Sequence, residues 1–509
     1  MAIINWFDVG KVAAERDDNL IHYFYDNGIS KSVISSSTQF LLLGRKGAGK
    51  TAVFLHLSRK PPEIFLSDDI VLSLSLNNYS WNAHALLRNG EKADSISYFQ
   101  SWRFVMLLEA TKAVTLHFEG KEIPAGLRQA KKVLERLFKS PIPSWTDLLG
   151  SKLFGLSSLK LPSMGLDSSS EISADFGEVS FEQIKEDNSL KAQLTNNIQY
   201  LTEYLEKCLL DVTEEYRVFI LFDRLDEAWD SSSVDICKNI ISGLIHASDY
   251  FVQKLKGKLR PVVFLREDIY ETLNLNDKNK LKEDNGKLLK WDKESLLRML
   301  MYRINFYARQ SNIAEIGSID ELFDRKEMRQ RATPFTYILR STFMRPRDLI
   351  CYFKKIIESM NDEKNLLEIE DIDGEDYIKL ISTEQLIVDY IYKAESGFST
   401  WLKDEITDEW GVQKPEITNY FNALMNIGTA FISQEKLKAS IIGYIKEIDD
   451  VGIRKILVFF FESSIIGFKI GESTIWRFKC TLPSQGYIDS DQYRVHFGLV
   501  KALNLSETI

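Results

Sequence analysis

The chain has 509 residues, of which 44% are hydrophobic and 27% charged, a balance that excludes a mainly disordered, collagen-like or disulfide-scaffold protein. A length of this kind predicts about three domains. The formal net charge of −9 argues against a protein that coats nucleic acid over its whole surface, although it permits a local basic patch.

Cysteine usage and hydropathy predict a cytoplasmic protein with no membrane partner. The four cysteines lie far apart without a Cys-x-x-Cys pair, which excludes a zinc ribbon and a redox pair and is typical of the reducing cytosol. The N-terminus lacks the basic start and the apolar run of a signal peptide. The most hydrophobic stretch, 456–468, is interrupted by Glu462 and is too short to cross about 30 Å of hydrocarbon.

The predicted elements begin with a helical segment over 1–37. A buried strand at 40–43 follows and stops at a glycine-rich turn. A second apolar run at 70–76 has β character, and two helical stretches over 81–118 and 125–138 come after it.

An insertion over about 140–180 interrupts this pattern, because its composition shifts to Ser, Gly and Leu without a clear period. It is either a flexible loop or a small antiparallel excursion. Helix resumes over 181–215, and near-continuous apolar strands follow at 218–222 and 261–265. Such strands, alternating with helices, indicate a parallel sheet buried on both faces.

Beyond about residue 295 the pattern becomes helical. Residues 295–372 are predicted to form a helical bundle, punctuated by prolines. Residues 380–509 are predicted to form helices followed by short strands near 465–470, 474–480 and 493–497. Helices followed by a small β-hairpin are the outline of a winged helix.

The strongest motif is Gly-Arg-Lys-Gly-Ala-Gly-Lys-Thr at 44–51, which matches G-x-x-x-x-G-K-[ST] between a strand and a helix. Glycines let the backbone curl so that several N–H groups point at phosphate oxygens, and the helix adds its positive N-terminal end. Lys50 is expected to bridge the β- and γ-phosphates, and the Thr51 hydroxyl to bind Mg²⁺. A chance glycine-rich turn is disfavoured because strand, loop and helix are in register. The predicted nucleotide-binding residues are Gly44, Lys46, Gly47, Ala48, Gly49, Lys50, Thr51 and Ala52.

A carboxylate is expected at the end of a neighbouring strand, because Mg²⁺ takes oxygen ligands. The apolar run at 218–222 ends in Asp223, which is predicted to be the magnesium partner. Hydrolysis also needs a base that orients the attacking water, and many P-loop ATPases place an acid directly after this Asp, where Arg224 stands here. Asp226 or Glu227 can reach the water if the strand ends in a tight turn, with Glu227 slightly preferred. Alternatively, both acids only solvate a loop. Because the acid is displaced from the position of Arg224, slow hydrolysis is a further expectation.

Two arginines are candidates for sensing the γ-phosphate, because a guanidinium binds phosphate oxygens in two places. Arg266 ends the apolar strand at 261–265, and its alternative role is an ion pair with Glu267 or Asp268. Arg347 precedes an amphipathic helix, where a helical lid can use it to report ATP. Its alternative role is an ion pair with Asp348.

The order of these parts resembles the prokaryotic P-loop ATPases of the AAA+/STAND borderland and is similar to the Orc/Cdc6-like initiator ATPases. The segments that carry the resemblance are AAERDDNLIHYFYDNG, FLLLGRKGAGKT, VFILFDRLDEAWD, PVVFLREDIYE and MRPRDLI. The resemblance implies ATP between the sheet domain and the lid, Arg266 as first sensor and Arg347 as second sensor. It also implies a nucleotide-driven change of assembly or conformation and an association with bacterial antiviral defence. Arg224 departs from the family pattern.

The fold predicted from these parts is α/β: a P-loop NTPase parallel sheet sandwiched by helices, then a helical lid and a winged-helix-like C-terminal domain. The expected domains are 1–294, with the insertion at about 140–180, then 295–375 and 376–509.

Three functions compete. The first is an ATP-binding and hydrolysing regulatory switch with ATP and Mg²⁺ as cofactors. It would act as a homo-oligomer or through a DNA or protein partner of the C-terminal domain. The second is a DNA-engaging motor or loader, which the net charge of −9 mildly disfavours. The third is an interaction scaffold that holds ATP with little turnover.

Two further patterns bear on the ligands. Lysines cluster within 254–260 and 278–293, but interleaved acids favour a solvated face over a nucleic-acid contact. Adenine is favoured over guanine, because the guanine-reading Asn/Thr-Lys-x-Asp motif has no clear counterpart.

Overall fold

The computed structural model describes residues 1–77, 79, 81, 84, 98–138, 159–162, 176–179, 188–226, 234–370, 374–471 and 473–507. The chain divides into two units, each of which is described by itself. The sheet unit comprises Asp26–Arg45 and Lys50–Leu289, and the helical unit comprises Met1–Tyr25, Lys46–Gly49 and Lys290–Ile509. The predicted boundaries at 294/295 and 375/376 stay predictions.

A parallel sheet forms the centre of the sheet unit. The strands of this unit are β1 (Leu41–Gly44), β2 (Ile70–Ser75), β3 (Leu159–Pro162), β4 (Phe176–Val179), β5 (Val218–Asp223), β6 (Leu259–Arg266) and β7 (Gly286–Leu288). Five of them pair in parallel in the order β2-β5-β6-β1-β7. Every residue of β1, β5 and β6 is buried, as expected for continuous apolar strands covered on both faces. The predicted α/β class with a parallel sheet is confirmed.

The predicted insertion contains a two-stranded antiparallel sheet in its described part. Strand β3 pairs with β4, with Leu159 opposite Val179 and Pro162 opposite Phe176. This pairing agrees with the antiparallel excursion, one of the two structures predicted for the insertion, whose other residues lie outside the described ranges.

Helices connect the strands and pack on the sheet. In chain order they are α1 (Ile29–Ser35), α2 (Lys50–Ser58), α3 (Phe99–His117), α4 (Ala125–Phe138), α5 (Asn188–Glu215), α6 (Val234–Lys254), α7 (Glu267–Thr272) and α8 (Lys278–Asn285). Helix α2 packs on β1, β2, β5 and β6, and α3 packs on β2, β5 and α6. The buried Trp102 of α3 donates its ring N–H to the Ile240 carbonyl of α6 over 2.8 Å, which fixes these two helices together.

The helical unit has its own hydrophobic core. Its helices are α9 (Lys293–Gln310), α10 (Pro334–Arg340), α11 (Pro346–Ile369), α12 (Glu375–Ser382), α13 (Asp389–Trp410), α14 (Ile417–Ile427), α15 (Gln434–Tyr444) and α16 (Asp450–Glu462). Pro334 and Pro346 each occupy a first-turn position, where the missing N–H costs nothing. The N-terminal segment joins this core through Ile3, Trp6 and Phe7.

The end of the chain forms a small antiparallel sheet. Its strands are β8 (Phe431–Ser433), β9 (Ile466–Phe468) and β10 (Gln492–Val495), paired in the order β8-β10-β9. The sequence missed β8, which has only three residues. The predicted strand at 474–480 is wrong, because within the described part Arg477 makes only an isolated bridge to Phe468.

The N-terminal prediction also needs correction. Instead of a continuous helical segment over 1–37, the structure has three short 3-10 turns (Ile3–Asn5, Ala14–Arg16 and Leu20–His22) and then α1. Among the described residues, we find no helix whose length and hydropathy would let it span a bilayer.

Candidate functional site

The glycine-rich loop runs from the end of β1 to the start of α2. Gly44 is the last residue of β1 and Lys50 the first residue of α2, so the loop lies at a helix N-terminus, as predicted. Gly47 and Gly49 have φ angles of +80° and +97°, which side-chain-bearing residues rarely adopt. The motif therefore places its glycines where the backbone must turn.

Lys50 lies among charged groups of the sheet unit. Its ammonium donates to the carbonyls of Gly44 and Arg45 over 3.0 and 3.2 Å. Burial lowers the pKa of Lys50. The negative charges of Asp226 and Asp223 partly offset this effect, and the positive charge of Arg266 adds to it. Carbonyl oxygens carry no net charge, so the ammonium keeps its positive charge for an anion, which suits the predicted contact with phosphate.

Asp223 ends β5 and is only 3% exposed. The Thr51 side chain is hydrogen-bonded to this carboxylate, while its Oδ2 has no hydrogen-bond partner among the residues that the structure describes. Burial raises the pKa of Asp223 to about 6, although Lys50 and the Thr51 bond act in the opposite direction. A buried carboxylate oxygen without a partner is costly, so its retention needs an explanation.

The chain turns sharply after Asp223. Arg224 has a φ of +63°, in the left-handed region, and Leu225 and Asp226 form a turn. This is the tight turn on which the predicted approach of Asp226 to the attacking water depends, and it brings Asp226 Oδ2 to 3.6 Å from the guanidinium of Arg266. Glu227, the other candidate base, lies outside the described residues.

Arg266 is the last residue of β6, and its position in the sheet is opposite Gly44 of β1. Its guanidinium makes two bonds to Asp268, of 3.1 and 2.7 Å. The ion pair with Asp268 that we weighed against a sensor role is thus present. Glu267, the other partner considered, pairs instead with Lys282. Arg266 is 8% exposed and lies at the same sheet edge as Asp223.

The tip of the loop, Lys46–Gly49, groups with the helical unit. The N–H of Arg347 donates to the Gly47 carbonyl over 3.4 Å, and a Cβ at Gly47 would lie 3.1 Å from the Cβ of Arg347. Arg345 donates to the Lys46 carbonyl over 3.0 Å, and the ring N–H of Trp291 to the Ala48 carbonyl over 2.8 Å. The close approach at Gly47 gives a second reason for glycine at this position.

Arg347, the predicted second sensor, pairs with Glu405 of α13 at 3.0 Å. The alternative pairing with Asp348 is wrong, since Asp348 instead accepts two bonds from Nε of Arg345, each of 3.0 Å. Glu405 also lies 3.7 Å from the ammonium of Lys46.

Sequence reasoning missed four side chains that contact the loop tip or its arginines. They are Trp291, Arg345, Glu405 and Glu409. Arg345 was visible in the string Met-Arg-Pro-Arg-Asp, but nothing in that string distinguishes a structural arginine from a sensor. Glu405 lies more than 350 residues from the loop, and no local pattern marks it.

Three basic residues of the clusters within 254–260 and 278–293 have partners in the sheet unit. Arg260 is 2% exposed and donates to the carbonyls of Val33 and Ile34. Lys254 pairs with Glu206, and Lys282 pairs with Glu271. The charges of Lys254 and Lys282 are thus balanced by carboxylates, whereas Arg260 is buried and does not belong to a solvated face.

The residues present fit a nucleotide and Mg²⁺. Gly47 and Gly49 supply the curled backbone, Thr51 a hydroxyl, and Asp223 a carboxylate oxygen that has no partner in the described part of the chain. Within the described ranges, no group of three His, Cys, Asp or Glu residues is arranged to hold a metal by itself. Mg²⁺ bound with a nucleotide takes oxygen ligands from one or two protein groups and from the phosphates, so the Thr51 hydroxyl and the Asp223 carboxylate are the donor types that it would need from the protein.

Comparisons with known proteins give one family match and one related sequence. A family model described as the FunZ-associated C-terminal helical domain matches residues 294–386. The "Putative transposon gamma-delta 80.3 kDa protein" of Escherichia coli (strain K12) is 24% identical over 354 residues, which is 67% of this chain and 45% of that protein. The chain thus matches less than half the length of this curated relative.

Two solved structures also align with the chain. The crystal structure of Cdc6p from Pyrobaculum aerophilum is 10% identical and covers 96% of each chain, with a TM-score of 0.32. The structure of Drosophila ORC bound to DNA is 10% identical and covers 93% of this chain and 84% of that one, with a TM-score of 0.29.

Proposed function

We propose that this chain binds ATP with Mg²⁺ at the loop 44–51 and hydrolyses it, as a switch whose nucleotide state controls assembly or the engagement of a partner. The observation that carries the proposal is Oδ2 of buried Asp223, which has no hydrogen-bond partner among the described residues and lies at the strand end near Thr51 and Lys50. A structural aspartate would have its oxygens satisfied. Phosphate oxygens and a metal account for both the missing partner and the glycine cradle.

Each residue then has a role that its position supports. The loop N–H groups and Lys50 hold the phosphates, and Thr51 and Asp223 hold the metal, which when bound neutralises phosphate charge. Asp226 orients the attacking water, and Arg266 stabilises the charge that develops on the phosphoryl oxygens. Glu227 remains the alternative to Asp226. Arg347 senses the bound nucleotide from the loop tip. The nucleobase of the ligand is adenine.

The test is binding of ATP with Mg²⁺ to the full chain by isothermal titration calorimetry, in the wild type and in Lys50→Ala. We expect Lys50→Ala to lose detectable binding, because it removes the side-chain charge that holds the phosphates. Lys287→Ala, an exposed lysine on β7, is the matched control and should bind like the wild type. Equal affinity of the wild type and Lys50→Ala would overturn the proposal.

Turnover separates a switch from a scaffold. Phosphate release by the wild type that is lost in Asp223→Asn supports hydrolysis at this site. Asp211→Asn, an exposed carboxylate of α5, controls for charge. ATP binding without turnover above the Asp223→Asn background would favour the scaffold instead.

A DNA-engaging ATPase is the second candidate. Elements α14, β8, α15, α16, β9 and β10 follow one another in the order of a winged helix, and Arg454 on α16 is 67% exposed. The E. coli relative carries the name of a transposon, a mobile DNA element. Stimulation of phosphate release by duplex DNA, weakened in Arg454→Ala with Lys455→Ala, would favour this candidate. No stimulation at any salt concentration would count against it.

Assembly and biological setting belong to the same proposal. A nucleotide-driven homo-oligomer should have a larger mass by light scattering with ATP than without it, and an unchanged mass would oppose the proposed assembly.

A role in bacterial antiviral defence rests on the resemblance alone. Phage plaquing that depends on Lys50 would support it.

A further inference from the structure

The tip of the glycine-rich loop carries an ion-pair network contributed by α13. Glu405 Oε2 lies 3.0 Å from Arg347 and 3.7 Å from Lys46, so that one carboxylate serves two cations. One helical turn further on, Glu409 lies 3.2 Å from Arg345. All of these residues belong to the helical unit.

The network is partly shielded from water. The side chains of Lys46, Arg347 and Glu405 are 22%, 27% and 17% exposed. Burial alone would raise the pKa of Glu405, but Arg347, Lys46 and Arg345 more than offset it and hold this pKa below its usual value. Glu405 is therefore ionised at neutral pH, and partial burial limits screening of its pairs by salt.

The charges of this network cancel. Three cations face three carboxylates: Lys46, Arg345 and Arg347 against Asp348, Glu405 and Glu409. The positive side chains at the loop tip are thus neutralised by the protein itself. A carboxylate and a phosphate present similar oxygens to a guanidinium, so one can replace the other as its partner.

The two arginines differ in how firmly they are held. Arg345 is 4% exposed and bonds to Asp348, Glu409 and the Lys46 carbonyl, as a structural arginine does. Arg347 is more exposed, and its side chain is ion-paired with Glu405. Arg347 is thus the cation that a new anion can take over with the least loss of structure.

We propose that Glu405 is an affinity-determining residue that competes with the phosphates of the nucleotide for Arg347 and Lys46. The inference rests on the proposed function, since it needs a nucleotide at this loop. In the free protein Glu405 occupies the cations, and binding of nucleotide requires that they exchange this carboxylate for phosphate oxygens. Glu405 thereby weakens nucleotide affinity and couples α13 to occupancy of the loop.

The test is the dissociation constant of ATP with Mg²⁺ for the full chain carrying Glu405→Gln. Removal of a competing charge should tighten binding by about fivefold, the effect of an ion pair worth about 1 kcal/mol. Asp404→Asn is the matched control, because it removes the same charge from the adjacent, exposed position of α13 and should leave affinity unchanged.

A double-mutant cycle identifies the cation involved. In the Arg347→Ala background, Glu405→Gln should tighten ATP binding by less than about twofold, because only Lys46 remains to be released. Unchanged or weaker binding by Glu405→Gln would overturn the inference, and weaker binding would mean that Glu405 positions the loop. Thermal unfolding of each variant shows whether it is folded.

The two failures are distinguishable. If the wild type and Lys50→Ala bind ATP equally, the proposed function fails whatever Glu405 does. If Lys50→Ala loses binding while Glu405→Gln behaves like Asp404→Asn, the proposed function stands and only the role of Glu405 is rejected.

Discussion

Two buried aspartates, one in each unit, have opposite surroundings. Asp348 near the start of α11 is 0% exposed, and Asp223 at the end of β5 is 3% exposed. The Phe343 N–H donates to Asp348 Oδ2 over 2.8 Å and Nε of Arg345 bonds to both of its oxygens, whereas Oδ2 of Asp223 has no partner in the described residues. Burial alone therefore does not distinguish these two carboxylates, whereas their hydrogen bonds to the described residues do.

The electrostatic surroundings of the two carboxylates differ as well. Burial raises the pKa of Asp223 to about 6, even though Lys50 and the Thr51 side chain favour its charged form. The charge of Asp348 is compensated by a guanidinium that is itself buried. Asp348 should therefore stabilise the free protein, and Asp223 should destabilise it until a ligand binds.

The largest expected effect comes from Asp348→Ala. Removal of one member of a buried ion pair leaves Arg345 and the Phe343 N–H without their acceptor, which should lower the free energy of unfolding by about 3–5 kcal/mol. Denaturant unfolding followed by circular dichroism measures it, with the exposed Asp404→Asn as control. A loss below about 1 kcal/mol would remove the contrast between the two aspartates.

Asp223→Asn should have the opposite sign in the absence of nucleotide. The folded-state pKa of about 6 exceeds the ordinary 3.8, so ionisation in the folded protein costs roughly 3 kcal/mol above pH 6. The amide removes that cost while it can still accept from Thr51. The variant should be more stable at pH 8, with a gain that shrinks between pH 6 and 4 and vanishes below. Destabilisation at pH 8 would identify Asp223 as a structural residue.

The residues at the carboxyl ends of the parallel strands were easier to predict from the sequence than the contacts of the loop tip, because they form local patterns. The strand at 218–222 and its terminal Asp223 are a local pattern of continuous apolar residues and one acid. The glycine-rich loop is equally local, because the required backbone curl restricts the residue types. Asp226 was identified for the same reason, since it lies only three positions beyond the strand.

The contacts of the loop tip depend on tertiary packing. Glu405 and Trp291 belong to amphipathic or linker segments in which any exposed polar or aromatic residue would look the same. The strand prediction at 474–480 was wrong because alternating apolar residues there pack on the core without pairing as a strand. The sequence missed β8 because three residues are too few to show a period.

Asp226→Asn tests a third carboxylate, which is more exposed than Asp223 and Asp348 (34%) and lies 3.6 Å from Arg266. If Asp226 orients the attacking water, turnover of ATP should fall about 100-fold while ATP affinity changes less than about twofold. Steady-state phosphate release and calorimetric binding measure the two quantities. Asp235→Asn, 93% exposed at the start of α6, should leave both unchanged. Full turnover in Asp226→Asn would transfer the base role to Glu227.

The pH dependence of binding gives a smaller effect. Metal ligands must be deprotonated, so protonation of Asp223 below its pKa of about 6 should weaken binding of ATP with Mg²⁺ by about tenfold for each pH unit. The pH profile of Asp223→Asn serves as the control. It contains the titration of the nucleotide but not that of Asp223, so the difference between the two profiles gives the contribution of Asp223. Parallel profiles for the two proteins would show that Asp223 does not hold the metal.

The smallest effect should come from Trp291→Phe, which removes the bond from the indole N–H to the Ala48 carbonyl but keeps an aromatic ring. We expect the free energy of unfolding to fall by about 1 kcal/mol more than in Trp401→Phe, a partly buried ring of the same unit. The difference measures how much one side-chain bond stabilises the loop tip in the free protein. If the two variants have the same free energy of unfolding, the Trp291 bond does not stabilise the loop tip. The stabilising hydrogen bonds of the helical unit would then be those around Asp348 and its partner Arg345.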